Sequence, residues 1–207
     1  HFKAVEAHLR QTGRLPVNVR VMVEGEEETA SDNVERFVRD NKDLLAADVV
    51  VMSDGAMFDR RVPSICYGLR GIVYFEIEVR GPATDLHSGS CGGAVANPAI
   101  ALARILAQFV DLDGRIAVPG FYDRVLGISS GERAAVARLP FSEQAYLARM
   151  GAPRLHGEPE YSLLERLWFR PTCDVNGLVS GFSEVGTKTI IPSTATAKVS
   201  MRLVPDQ

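Results

Sequence analysis

A chain of 207 residues is long enough for one large domain or two small ones, and 46% hydrophobic with 24% charged residues is the composition of an ordinary globular protein. Its 26 acidic residues outnumber 23 Lys and Arg, giving a net charge of −3, so there is no basic excess to neutralise a phosphate backbone and nucleic acid is not an expected partner. No apolar run approaches the ~20 residues of a membrane helix and nothing resembles a secretory leader, which makes a cytoplasmic protein without a membrane partner the expectation.

The chain opens at His1 on a helix-like segment and closes at Gln207 just after a patterned strand, so it reads as an internal piece of a longer protein. Phe2 to Arg10 is the end of a helix that stops before Gly13. Val17, Val19, Val21 and Val23 lie in a β-branched run suited to a buried parallel strand that ends at Glu24. Asp32 and Glu35 have the spacing of a capping box, and Val34, Phe37, Val38, Leu44 and Leu45 follow helical periodicity behind it. Asp48 to Met52 forms a second short apolar strand that ends at Ser53 and Asp54. The unit is βαβ, and a right-handed crossover would bring both acidic strand ends to one sheet edge, where open α/β sheets bind ligands.

Glu24, Glu26, Glu27 and Glu28 repel one another within five residues, and a divalent cation would resolve that repulsion. A solvated acidic loop is the plainer explanation of such a run. A calcium loop is disfavoured, because the cluster lacks the alternating oxygen ligands such a loop needs. Cys66, Cys91 and Cys173 are odd in number and far apart, which points to reduced thiols rather than disulfides or a thiolate zinc site.

From Ile72 to Arg80 the pattern changes: Val73, Phe75, Ile77 and Val79 alternate with Tyr74, Glu76, Glu78 and Arg80, as in an antiparallel strand covered on one side. Asn97-Pro98 supplies a helix cap and a first-turn proline, followed by a core-facing stripe of Ile100, Ala103, Leu106, Ala107 and Val110 that ends before Gly114. Short strands are expected at Arg115 to Val118 and Asp174 to Ser180, separated by a helical insertion over about 130–167. The last strand is the clearest, with Ala195, Ala197, Val199, Met201 and Leu203 inward and Thr194, Thr196, Lys198, Ser200 and Arg202 on the polar face. The expected fold class is therefore α/β: a partial βαβ domain over residues 1–69, then over 70–205 an α+β two-layer domain with helices on one face of an antiparallel sheet.

Six segments carry a resemblance, in order: Val23 to Glu28, Val51 to Asp54, Tyr67 to Gly71, Asp85 to Gly89, Gly186 to Pro192 and Ser200 to Pro205. Together they resemble the dinuclear zinc peptidases of the carnosinase and cytosolic nonspecific dipeptidase type, whose wider family includes aminoacylase, glutamate carboxypeptidases and succinyl-diaminopimelate desuccinylase. The resemblance implies a parent metallopeptidase that hydrolyses dipeptides or N-acylated amino acids with a metal-activated water. Its first domain would be part of the catalytic domain and its second a lid through which the enzyme forms a homodimer. It implies Glu27 as general base, Glu28 and Asp54 as ligands of two zinc ions or of manganese, and His87 as a donor to the oxyanion in the partner subunit's site. Thr189 and Arg202 would grip the substrate's terminal carboxylate, a task suited to the planar fork of Arg. The family completes its metal site with two His and a bridging Asp that have no counterpart here in matching context, and Thr29-Ala30 stands where Ser-Gly often follows the paired glutamates. This chain alone is therefore expected to be inactive, and a non-catalytic dimerisation module is the alternative.

Overall fold

In the computed structural model, which describes residues 1–207 apart from Ala30, Ser53 and Ala56, the polypeptide divides into two units, His1–Pro63 and Ser64–Gln207. The Thr29-Ala30 step and Ser53 beside Asp54, both singled out in the sequence, thus include residues outside the described set.

The first unit begins with α1 (Phe2–Thr12), which stops at Gly13 in the left-handed conformation, φ 72, with the Gly13 N–H returned to the Leu9 carbonyl. The two parallel strands expected next are not formed: among the described residues no ladder pairs 17–23 with 48–52, and Val17, Val23, Val51 and Met52 are 65–80% exposed. A buried parallel strand needs hydrogen-bonded neighbours and helices over both faces, and neither run finds them among the described residues of this unit. Between them, the amphipathic segment forms α2 (Val34–Asp40) and α3 (Lys42–Leu45), interrupted at Asn41. The capping box expected from Asp32 and Glu35 is also absent. Asn33 is the N-cap residue, and the Glu26 carboxylate accepts from its backbone N–H and its Nδ2, placing negative charge near the helix start. At the other end, Arg20 donates to the carbonyls of Asp43 and Ala46.

The second unit follows the alternation read from its sequence. Its elements are β1 (Gly71–Arg80), β2 (Leu86–His87), α4 (Ser88–Cys91), α5 (Pro98–Leu106), α6 (Ser130–Ala137), α7 (Glu143–Met150), α8 (Leu163–Phe169), β3 (Thr172–Ser180), β4 (Ile190–Ile191) and β5 (Thr194–Leu203). β5 is the middle strand of an antiparallel sheet ordered β1-β5-β3, and β2 pairs with β4 in a separate two-stranded ribbon. Val199 faces Phe75 on one side and Val175 on the other, and a bulge between Val175 and Gly177 shifts the register of β3. Leu102 of α5 seats on Ala195, Ala197 and Val199, all at most 1% exposed, and Phe75, Ile77, Val79, Ala99, Leu106, Phe109 and Cys173 close around them. Two alanines at the centre of β5 let the helix approach the sheet closely.

The buried stripe of α5 is one residue out of phase with the expected one. Asn97 does cap the helix through the Ala99 N–H, with Pro98 in its first turn, but Pro98 and Leu102 are the buried positions while Ile100, Ala103 and Ala107 are exposed. Both stripes have helical spacing, and the one holding Leu102, Leu106 and Phe109 buries the larger side chains. The expected strand at Arg115 to Val118 reduces to a single bridge, Val110 with Ile116. Asp111 Oδ1 accepts from the Asp113 and Arg115 amides and Gly114 takes φ 79, so the chain reverses in a tight turn instead of extending.

The helical insertion is anchored by charge. Glu158 and Arg170, 5% and 6% exposed, form a bidentate pair at 2.8 and 2.6 Å, and Arg115 adds a third contact to Glu158 at 3.1 Å. The Arg170 guanidinium lies 4.5 Å from the Tyr161 ring centre and 5.0 Å from that of Tyr122. Burial alone would lower the Arg170 pKa, but the hydrogen bonds and charge of Glu158 more than offset it and hold it above its usual value. At the start of α8, Ser162 and Glu165 make a reciprocal capping box, and Arg133 reaches Glu165 at 3.2 Å.

Candidate functional site

The β2-β4 ribbon is short because its purpose is local: it aligns Leu86 with Ile191 and His87 with Ile190. Three further ties fix it. Asp85 Oδ1 accepts from the Ser193 N–H at 2.8 Å, the Ser88 N–H donates to the Thr189 carbonyl at 2.9 Å, and the imidazole of His87 caps α4 by accepting from the Gly89 N–H at 3.0 Å through Nδ1. Since Nδ1 is an acceptor, the proton of the neutral ring is on Nε2. That nitrogen lies 3.2 Å from Thr189 Oγ1, so Nε2–H donates to the hydroxyl and the hydroxyl proton is left to point elsewhere. The two side chains open onto a hollow of about 580 Å³ that Asp85, Thr187 and Lys188 also border. Lys188 stands with its ammonium 4.5 Å from the Phe182 ring centre. The site thus offers the free Thr189 hydroxyl proton, the Nε2–H of His87 that donates to that hydroxyl, and a cation.

Arg202 lies elsewhere. It pairs with Ile72 near one end of β5, eight residues from Thr194, which pairs with Arg80 at the other. At the rise of an antiparallel strand, that is roughly 27 Å. The Asp85–Ser193 tie is at the Thr194 end, so the structure brings His87 and Thr189 together and separates Arg202 from both. Around Arg202 there is a second guanidinium, Arg70, which donates to the Arg170 carbonyl at 3.3 Å. Burial and then the positive charge of Arg202 hold Arg70 below its usual pKa, with Asp174 opposing. Arg70, Asp85 and Gly89 all fall within the segments that carried the resemblance, yet none had a role there. Their roles depend on contacts across 100 residues or on ring geometry, which spacing does not reveal.

Of the three carboxylates expected at the metal, Glu27 and Glu28 occupy a single 3-10 turn, Glu27–Thr29, and Asp54 follows the second apolar run. All three are exposed. Carboxylates are suitable donors for a divalent ion, but among the described residues no three His, Cys, Asp or Glu side chains converge into a cluster that would hold one. A structural or catalytic zinc site takes at least three protein ligands. The described residues of this chain therefore do not by themselves fit the metal.

Residues 67–207 match the profile of the peptidase dimerisation domain. The Beta-Ala-His dipeptidase of Homo sapiens is 35% identical over 206 residues, 99% of this chain and 41% of that protein. A Cys-Gly metallodipeptidase of Candida albicans is 34% identical over 207 residues, 99% of this chain and 43% of that protein. Among solved structures, an M20 family metallo-carboxypeptidase from Sulfolobus solfataricus superimposes with a TM-score of 0.85 at 36% identity, covering 99% of this chain and 46% of the other. Human carnosine dipeptidase 1 does so with a TM-score of 0.78 at 33% identity, covering 99% and 44%. The chain thus spans less than half the length of these relatives, which are named as two dipeptidases, a metallodipeptidase and a metallo-carboxypeptidase.

Proposed function

The chain belongs to the peptidase dimerisation domain family, and from that premise we propose that it serves a metal-dependent peptidase hydrolysing the amide bond of dipeptides or N-acylated amino acids. The observation that carries this reading is the pairing of His87 Nε2 with Thr189 Oγ1 beside an open hollow. In the attack of water on an amide carbonyl, negative charge develops on the carbonyl oxygen, and preplaced donors stabilise it most. Nε2–H of His87 becomes such a donor when a substrate oxygen takes over the position of its present acceptor, Thr189 Oγ1.

Arg202 supplies the complementary end. Its guanidinium, with Arg70 adding positive charge nearby, suits a substrate carboxylate. A dipeptide spans only about 7 Å, far less than the roughly 27 Å of β5 between the two places. His87 and Arg202 of one chain therefore cannot meet on one dipeptide, which supports a site shared between subunits: Arg202 acts in its own subunit's site and His87 in the partner's. Thr189 then acts beside His87 rather than beside Arg202. We assign Glu27 as the base that takes the proton of the attacking water, and Glu28 and Asp54 as metal ligands completed by residues outside this sequence. A divalent ion, zinc or manganese and two per site, would supply Lewis acidity there.

The partner in this proposal is a second copy of the chain. Val175 and Leu178 on β3, an edge strand, and Ile100 on the outer side of α5 are 49–59% exposed, apolar positions that a two-fold axis can pair with those of a second copy. No helix among the described residues is long and apolar enough to cross a membrane; a cytoplasmic location rests on composition alone. The test is hydrolysis by the parent protein of a panel of dipeptides and acetylated amino acids with zinc or manganese. Activity on none of them, with metal bound, overturns the reading. A non-catalytic dimerisation module is the second reading for the isolated chain, favoured by the lack of a three-ligand cluster among its described residues. Metal counting separates the two, since a competent site holds two ions per chain and the module holds fewer.

A further inference from the structure

We infer that Gly89 is a positioning residue for His87: its backbone N–H keeps Nδ1 unprotonated, and its missing side chain leaves room for the ring, so that Nε2 presents the proton toward Thr189. The inference rests on the reading of His87 as a donor, and it adds what makes that donor preorganised.

Two independent observations support it. The Gly89 N–H is 3.0 Å from Nδ1, and an acceptor nitrogen cannot carry the proton of a neutral imidazole. A Cβ at position 89 would stand 2.8 Å from Cε1 and 3.1 Å from Nδ1 of the same ring, so any side chain there displaces the imidazole. Backbone conformation does not account for the glycine, since Gly89 is not among the residues with positive φ. The close approach of the ring does. With Nδ1 held by Gly89 and Nε2 by Thr189 at 3.2 Å, both nitrogens are committed before a substrate arrives. A ring free in solvent interconverts between tautomers, and only one of them can donate from Nε2.

The experiment uses the full chain with 15N-labelled histidines and a labelled backbone. Four histidines are present, and the His87 signals are assigned by their loss in His87→Gln. Expected in the wild type is a through-hydrogen-bond coupling between the Gly89 amide nitrogen and His87 Nδ1, with the proton of the neutral ring on Nε2 alone. Gly89→Ala should abolish the coupling and give His87 the mixed tautomer population of the exposed His8. Gly127→Ala, at a glycine with open space around it, should change neither, and the amide signals of β5 report that each variant is folded. In the parent enzyme, Gly89→Ala should lower kcat by roughly 10²-fold with little change in KM, and should lower it no further in a His87→Gln background. Absence of the coupling with both nitrogens assigned, a proton on Nδ1, or additive losses in the double variant would overturn the inference. A coupling present together with a His87→Ala enzyme of full kcat would instead sink the donor reading of His87 and leave Gly89's hold on the ring standing.

Discussion

Glu158 is the residue whose loss the molecule would feel most. Its carboxylate neutralises Arg170, which is itself buried, so Glu158→Ala leaves a guanidinium without its counter-charge out of water. Such a loss costs about 3–5 kcal/mol, expected as a lower urea midpoint for unfolding of the Ser64–Gln207 unit. Tyr122 is the other sensitive point, because its hydroxyl accepts from the N–H of buried Ile116 at 3.0 Å. Tyr122→Phe orphans that donor at a cost of about 1–3 kcal/mol. It also changes the alkaline limb. Burial raises the Tyr122 pKa, and its contact with Ile116 only partly opposes this. The unfolded chain therefore releases the phenolic proton first, and stability is full below the ordinary tyrosine range and falls as pH rises through the higher folded value. Denaturation midpoints measured across that range should slope down in the wild type and less so in Tyr122→Phe. Neither residue stood out in the sequence, where Glu158 sits between Gly157 and Pro159 like any loop charge. Its partners are 12 and 43 positions away, and no local pattern encodes them. His87 and Thr189 were singled out only because short motifs surround them.

At the scale of elements, α5 separates burial from association. Leu102→Ala empties the centre of the core, where the side chain is fully buried against three β5 residues, and should cost about 2–5 kcal/mol. Ile100→Ser, two residues earlier on the opposite, exposed side, should leave that stability within about 0.5 kcal/mol while weakening self-association in sedimentation. Equal loss of stability from both changes would show that the outer face is not an interface. The strands β1 and β5 were legible because a period of two has only two phases, and charged residues mark the wet one. The phase of α5 was only partly so: Leu106 of the expected Ile100-Ala103-Leu106-Ala107-Val110 stripe does pack on the core, but Leu102 rather than Ile100 and Ala103 is buried with it, because both phases satisfy helical spacing and volume decides between them. The valines of 17–23 mark a strand by composition, but a strand also needs a neighbour, and composition does not provide one.

For the whole molecule, the separation of His87 from Arg202 along β5 leads to a test of the proposed sharing of the site between subunits. In the parent enzyme, Glu27→Ala and His87→Ala should each be inactive or nearly so. Mixing the two and letting subunits exchange creates hybrids with one site that has Glu27 from its own chain and His87 from the other. Random pairing should restore about a quarter of wild-type activity, and no recovery despite proven exchange would place His87 outside the partner's site. The fold class was readable from the switch in hydrophobic period near Gly71. The proposed division of the site between subunits was not readable from period at all, because that proposal rests on the length of a strand relative to the length of a substrate.

The middle position of β5 has a further consequence, for the order in which the domain is made. β1 and β3 each pair with β5 and not with one another, yet β5 is the last strand among the described residues, more than a hundred residues after β1. A ribosome synthesising this domain releases β1 and the amphipathic helix α5 long before the strand that joins them, and β3 only shortly before it. Until Thr194–Leu203 emerges there is no three-stranded sheet and no seat for Leu102. Folding must then wait for a contact of very long range, which is slow to close, and the exposed edges in the meantime are what a chaperone would hold.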